Sequence, residues 1–225
     1  MTITSLAIQS TYSLVQCALF HNNKLIETIT LDKHVASKQL LPMLSDILHA
    51  HNLVLRDLSF ISANTGPAPF TTLRVVIATV NGLNFASNIP LIGVDGLQAI
   101  MAENTQSHAT PTVLLLNAFN KDVYFAIQNP EDGKIKKGCQ NIITLLQTLY
   151  DSFPQTTSVR FIGNGALMYA TEIENLFKKH ALIEQGSLDS CSIQQIGLMG
   201  WESWQHQKNL SKKLLPLYLK GQTKK

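Results

Sequence analysis

Side chains able to do chemistry are thinly spread along this chain of 225 residues. The seven histidines, His21, His34, His49, His51, His108, His180 and His206, form no HExxH or i, i+4 pair. No helix face therefore offers two imidazoles to one metal ion, and no metal site is expected. His49 and His51, two apart, point to different sides of a helix. Cys17, Cys139 and Cys191 are widely spaced and lack a CxxC pair, which argues against a disulfide framework or a zinc knuckle. There is no GxSxG, no P-loop lysine and no GxGxxG after a strand. No nucleophile with a base stands out, so no catalytic residue is assigned.

Two stretches keep some promise of phosphate chemistry. Ser10 and Thr11 follow the first apolar run, "LAIQST", and could meet a phosphate. Gln9 precedes them, however, and an amide can neither take up a proton nor carry the charge of an acid holding metal-bound water. The second stretch, "NTGPAPFTTLR", opens a helix, whose first N–H groups attract anions. Gly66 permits positive φ and Pro67 fixes the next turn, but Ala68 and Pro69 remove flexibility and one donor. As an anion cradle the loop is poor. Thr71 or Thr72 is the expected N-cap, and Arg74 sits in the first turn, where the helix dipole disfavours a cation. Arg74 reads either as a snorkelling surface residue or as a bridge to another lobe or subunit.

The elements that position these residues follow from periodicity. Two β-rich runs flank Asn22-Asn23, a hairpin signal. A helix is expected over 37–51, with Ser37 as N-cap and Pro42 in its first turn or kinking it. "LSFISANTG" reads as a strand, and "IPLIGVDGLQAI" as strand, turn and helix. From Pro111 the same order of strands and helices returns, with an Asp-Gly turn in the second hairpin. The expectation is two lobes, 1–105 and 106–225, each a mixed sheet with flanking helices in βββαβα order, meeting at a cleft. The C-terminal segment is expected to pack back on the first lobe. Such a pair of lobes describes the actin-like (ASKHA, RNase H-like) α/β architecture, which fixes a fold and not a function.

The helix after the loop is apolar on two sides. At 100° per residue, Leu73, Val76, Ile77, Val80 and Leu83 share one face, and Val75, Ala78, Gly82, Phe85 and Ala86 the other, interrupted by Thr79, Asn81 and Asn84. Ala78, Gly82 and Ala86 form a small-residue strip along which a partner helix can come close. The helix before it carries Leu40, Leu41, Met43, Leu44, Ile47 and Leu48. Leu40, Met43, Leu44, Ile47, Val75, Ala78, Thr79, Gly82, Phe85 and Ala86 are accordingly the candidate partner interface, with Gly66, Pro67, Thr71 and Arg74 as the loop and bridging residues. The alternative is that the second lobe covers both helices.

Composition is that of a globular chain, 45% hydrophobic and 15% charged, with a formal charge of +3. Lys208, Lys212, Lys213, Lys220, Lys224 and Lys225 crowd the C-terminal end, a tail that is solvated or touches RNA. "MTITSLAIQST" has no basic n-region, and no run approaches the roughly 20 apolar residues of a membrane span, so a cytoplasmic location is expected.

Several of these stretches also carry a resemblance. "LAIQST", "HVASKQLLPMLSDIL" and "NTGPAPFTTLRVVIATVNGLNFASNIPLIGVDGLQAI" resemble in order and spacing the bacterial TsaB family, the partner subunit in threonylcarbamoyl transfer to adenosine 37 of tRNA. In the second half the likeness thins to "NAFNKDVYFAI", "FIGNGA" and "LLPLYLK". Gln9 stands where the family has Asp; Ala68, Pro69 and Thr72 replace Gly, Ser and Gly; Asn117 and Phe119 replace Asp and Arg. Each change removes polar or flexible character. The resemblance implies a non-catalytic relative of TsaD, the subunit whose two histidines hold a metal; only His34 lies in that neighbourhood here. It implies a scaffold binding a TsaD-like subunit, a TsaE-like ATPase in the same assembly, and a homodimer when the partner is absent. ATP or ADP would enter only at a composite site, and tRNA would be contacted indirectly or through the basic tail. The competing reading is a free-standing small-molecule kinase of the same fold, or a peptidase.

Overall fold

The computed structural model describes residues 2–104, 110–131, 133–154 and 156–220. His108, Asp132 of the expected Asp-Gly turn, and Lys224 and Lys225 of the basic tail lie outside the described residues. The chain divides into two units, Met1–Ala99 with Ser190–Leu217, and Ile100–Asp189 with 218–220. No helix among the described residues is long and apolar enough to cross a membrane.

The first unit is built on one mixed sheet. Strand β1 (Thr4–Ser10) pairs antiparallel with β2 (Leu14–His21), and β2 antiparallel with β3 (Lys24–Asp32). Asn22 adopts φ 56° in the two-residue turn between β2 and β3, a left-handed conformation that asparagine tolerates well. After helix α1 (Ala36–Ala50), β4 (Phe60–Asn64) lies parallel to β1. Helix α2 (Phe70–Ser87) then leads to β5 (Leu91–Val94), parallel to β4, and α3 (Gly96–Asn104) follows.

The second unit repeats that order. Strands β6 (Thr112–Asn117), β7 (Asp122–Gln128) and β8 (Ile135–Asn141) form an antiparallel meander. Helix α4 (Ile142–Ser152) precedes β9 (Val159–Ile162), parallel to β6. Helices α5 (Asn164–Met168) and α6 (Ala170–Phe177) precede β10 (Ala181–Ile183), parallel to β9. The strand orders are β3-β2-β1-β4-β5 and β8-β7-β6-β9-β10, the same topology twice. In the first sheet β11 (Leu210–Ser211) extends the edge at β5.

All seven residues of β1 are buried, where a half-covered strand would alternate. Leu6 and Ile8 join one core with Leu40, Ile47, Val76 and Val80 of α1 and α2. The opposite face is covered by α7 (Ile193–Gln205), a helix that periodicity alone did not single out. Ser192 caps it by accepting from the Gln195 N–H at 3.1 Å, and Trp204 stacks on Phe60 with ring centroids 5.2 Å apart. Gly197 and Gly200 let its backbone lie against the sheet: a Cβ at 200 would stand 2.5 Å from Ser62 Cβ, and one at 197 would enter the buried ring of Phe20.

Two expected caps are not found. Helix α1 starts at Ala36 with Val35 as N-cap and no side-chain cap, because the turn out of β3 (Val35 N–H to Asp32 O, 3.2 Å) winds the chain into the helix before Ser37. Pro42 lies beyond the first turn, on the exposed side of α1. Helix α2 starts at Phe70 behind Pro69, so Thr71 and Thr72 sit inside the first turn instead of capping it.

Replacing Gly197 by alanine should cost about 1–3 kcal/mol through overpacking against Phe20, lowering the melting temperature by several degrees. Gly82→Ala is the control: a Cβ there meets nothing within 4 Å, and alanine favours a helix over glycine. Thermal unfolding followed by circular dichroism of both variants checks the contrast; equal melting curves would contradict this packing of α7.

Candidate functional site

Parallel strands β1 and β4 deliver their C-terminal ends to the two loops that sequence marks for phosphate chemistry, where α/β sheets usually hold ligands. Here the polar groups, the Ser10 hydroxyl apart, are already spoken for. Gln9 is fully buried, and its amide Nε2 donates to Gln16 Oε1 at 2.8 Å and to the Cys191 carbonyl at 3.1 Å, while Cys191 Sγ approaches its Oε1 at 3.9 Å. The turn after β1 closes on itself: Thr11 N–H donates to Leu14 O at 2.8 Å, and Thr11 Oγ1 accepts from the N–H groups of Ser13 and Leu14. Ser10 Oγ is buried without a partner, a lone hydroxyl with no base beside it.

The loop after β4 is a structural joint. Asn64 Oδ1 accepts from the Gly66 N–H at 2.8 Å, Gly66 O accepts from the Gly96 N–H at 2.8 Å, and Thr65 donates its N–H and hydroxyl to Val94 O while its own carbonyl accepts from the Leu217 N–H. Gly66 adopts φ +116°, a region reserved for glycine, and Gly66 and Pro67 are buried. Neither presents a donor row to an anion. Thr71 and Arg74 are exposed, and the Arg74 guanidinium carbon lies 3.6 Å from the Phe70 ring centroid, a cation–π contact that draws the charge back along its own helix.

Among the described residues no three His, Cys, Asp or Glu side chains converge as a metal would require, and His34 is exposed. Burial pushes the Cys17 thiol far up and that of Cys139 above its ordinary value, the latter helped by the neighbouring Asp122 carboxylate. Neither is an activated nucleophile.

Helix α2 keeps the two faces expected of it. Leu73, Val76, Ile77 and Val80 are buried. Ala78, Gly82, Phe85 and Ala86 are exposed, Phe85 at 89%, with Val75 and Thr79 half-buried at the border. For α1 the expectation needs correction. Leu40, Met43, Leu44 and Ile47 are at most 4% exposed, inside the core of their own unit, so they are not available to a partner. They share one stripe at helical spacing, and the sheet covers that stripe. The apolar residue α1 leaves outside is Leu41, 55% exposed. Phe70, 54% exposed at the start of α2, was also outside the expected set; its signal was an aromatic residue off the buried stripe.

The twice-repeated strand order, with helices flanking each sheet, defines a two-lobe α/β protein of the actin-like type. Solved structures agree: Pseudomonas aeruginosa YeaZ matches with TM-score 0.70 and 19% identity over 96% of this chain and all of that one. A P. aeruginosa protein described as similar to peptidase YeaZ matches with TM-score 0.73 and 20% identity over 97% and 100%. The family model described as "TsaD: tRNA N6-adenosine threonylcarbamoyltransferase" matches residues 28–210, and the chain belongs to that family, on its TsaB/YeaZ branch. The tRNA threonylcarbamoyladenosine biosynthesis protein TsaB of Buchnera aphidicola subsp. Baizongia pistaciae is 26% identical over 97% of this chain and 99% of its own length. That of Escherichia coli is 29% identical over 57% and 56%.

Gln9→Glu tests the closed end of β1. The Cys191 carbonyl, an acceptor, faces the position of the amide nitrogen, and a buried carboxylate there loses the donor and repels it. The expected cost is about 1–3 kcal/mol at neutral pH. The sign with pH follows: burial raises the folded-state pKa of the new carboxyl, so the variant matches wild type best below about pH 4.3 and falls behind as pH rises through its folded pKa. Urea titrations at pH 4 and 7 measure this, and an undiminished stability at pH 7 would refute it.

Proposed function

We propose that this chain is the non-catalytic scaffold of a complex that transfers a threonylcarbamoyl group to adenosine 37 of tRNAs, docking a TsaD-like catalytic subunit through α2. The observation that carries the reading is the exposed strip of Ala78, Gly82, Phe85 and Ala86 on a helix whose other face is already buried. Small residues at i, i+4 and i+8 let a second helix backbone approach, and Phe85 supplies an aromatic anchor. The relatives named TsaB supply the pathway. The β1 end and its neighbouring loop support a non-catalytic role, since Gln9, the turn at Thr11 and the Asn64–Gly66 turn make their hydrogen bonds within the fold and the Ser10 hydroxyl has no base beside it. A kinase would need an acid where Gln9 stands, and a peptidase a nucleophile paired with a base. In this reading the same face closes a homodimer when the partner is absent. A TsaE-like ATPase completes the assembly, ATP or ADP enters only at a composite site, and the work is done in the cytoplasm.

Ala78→Arg and Gly82→Arg place a long cation in a contact that must be dry, and association should weaken by several kcal/mol. Both sites are exposed in the monomer, so folding should survive. Co-purification with the TsaD of its own organism, together with light scattering and circular dichroism, reads both properties. A folded variant that still binds TsaD would reject this face.

A further inference from the structure

The second unit contains a cavity of about 370 Å³ at the end of α4 and α6 that neither the scaffold reading nor the closed loops of the first unit use. Tyr150 and Phe153, both half-buried, and Phe177 form an aromatic wall, with the Tyr150 and Phe177 rings edge to face at 5.7 Å. Lys178, Lys179 and His180, consecutive on one turn, supply the polar rim, and among the described residues no carboxylate lines the cavity. Among the described residues none of these three side chains makes an ion pair or hydrogen bond within the chain.

The simplest structural role for such cations is to offset the dipole at the C-terminus of α6. That role does not account for Lys178, whose backbone adopts φ 52°, ψ −129°. This is ground for glycine, which is also the common residue just past a helix end. A lysine held there at a conformational cost, beside a second lysine and half-exposed aromatic rings, is better explained by a bound anion. Aromatic faces take a nucleobase by stacking, and paired ammonium groups take its phosphate. The volume falls in the lower part of the range of about 300–1,000 Å³ for ligand sites, enough for one nucleotide but not a dinucleotide cofactor.

We propose that this cavity binds a single nucleotide unit, its base against Tyr150 and Phe153 and its phosphate on Lys178 and Lys179. The source is an unpaired residue of an RNA strand or a free mononucleotide. The inference goes beyond the scaffold reading and does not depend on the α2 face.

The test uses the full chain and a fluorescently labelled adenylate pentanucleotide, followed by anisotropy, with AMP and inorganic phosphate as competitors. The variant Lys178→Gly with Lys179→Ala removes both charges while placing glycine at the positive φ, so its melting temperature should hold or rise. Saturable binding by wild type, weakened at least tenfold in this variant and unchanged in Ala78→Arg, is the expected result. Displacement by AMP at matching concentration identifies a free nucleotide; failure of AMP to displace identifies the RNA strand. Displacement by phosphate alone, equal binding by wild type and the double variant, or no saturable binding of either nucleotide probe would overturn the proposal.

Discussion

The first unit depends on a strand that must be covered on both faces. β1 puts Leu6 and Ile8 on one side and Gln9 on the other, and all are buried. Local sequence supplies the first cover, since α1 and α2 follow within the same unit. The second arrives from the far end of the chain, where Gly197 and Gly200 bring the backbone of α7 down on the sheet. The Gln9 amide joins the two, donating to a carbonyl 182 residues away. A side chain able to donate is required at that point, which gives a physical reason for an amide where the TsaB resemblance would have an acid.

That requirement spreads outward. With Gln9 turned toward Cys191, the turn after β1 satisfies its own N–H groups through Thr11 and Leu14, and the loop after β4 gives the Thr65 N–H to Val94 O and the Gly66 N–H to Asn64 Oδ1. Buried backbone donors must find partners, and here they find them inside the protein. An end of the sheet that could have held a ligand has become a joint holding strands, α2 and the C-terminal segment together. The polar chemistry left over lies elsewhere, on the rim of the cavity below α6.

Much of this was legible in the sequence. Asn22-Asn23 announced the hairpin because few residues tolerate positive φ, and the alternation of strand and helix patterns gave the repeated order of elements. The two faces of α2 followed from a 3.6-residue period. What failed were features decided by tertiary context. Ser37 looks like a cap, yet the turn out of β3 starts the helix earlier. Leu40, Met43, Leu44 and Ile47 look like surplus apolar surface until a sheet is laid against them. Helix α7 was not picked out by periodicity, and the reason for its glycines, close approach to Phe20 and Ser62, exists only in the folded sheet. The lysine at φ 52° has no sequence signature at all.

The size of α2 constrains what can dock on it. Eighteen residues give a helix of about 27 Å, and a strip about 10 Å wide along it offers a few hundred Å², short of the roughly 800 Å² per partner typical of a stable contact. The Ala78, Gly82 and Ala86 strip can therefore serve as the closest line of a contact but not as its whole. The large apolar side chains that the same two helices leave more than half exposed are Phe70, Phe85 and Leu41, with Arg74 held over Phe70. α1 thus enters the docking reading through the one leucine its sheet leaves uncovered, while its buried stripe shares a core with the buried face of α2.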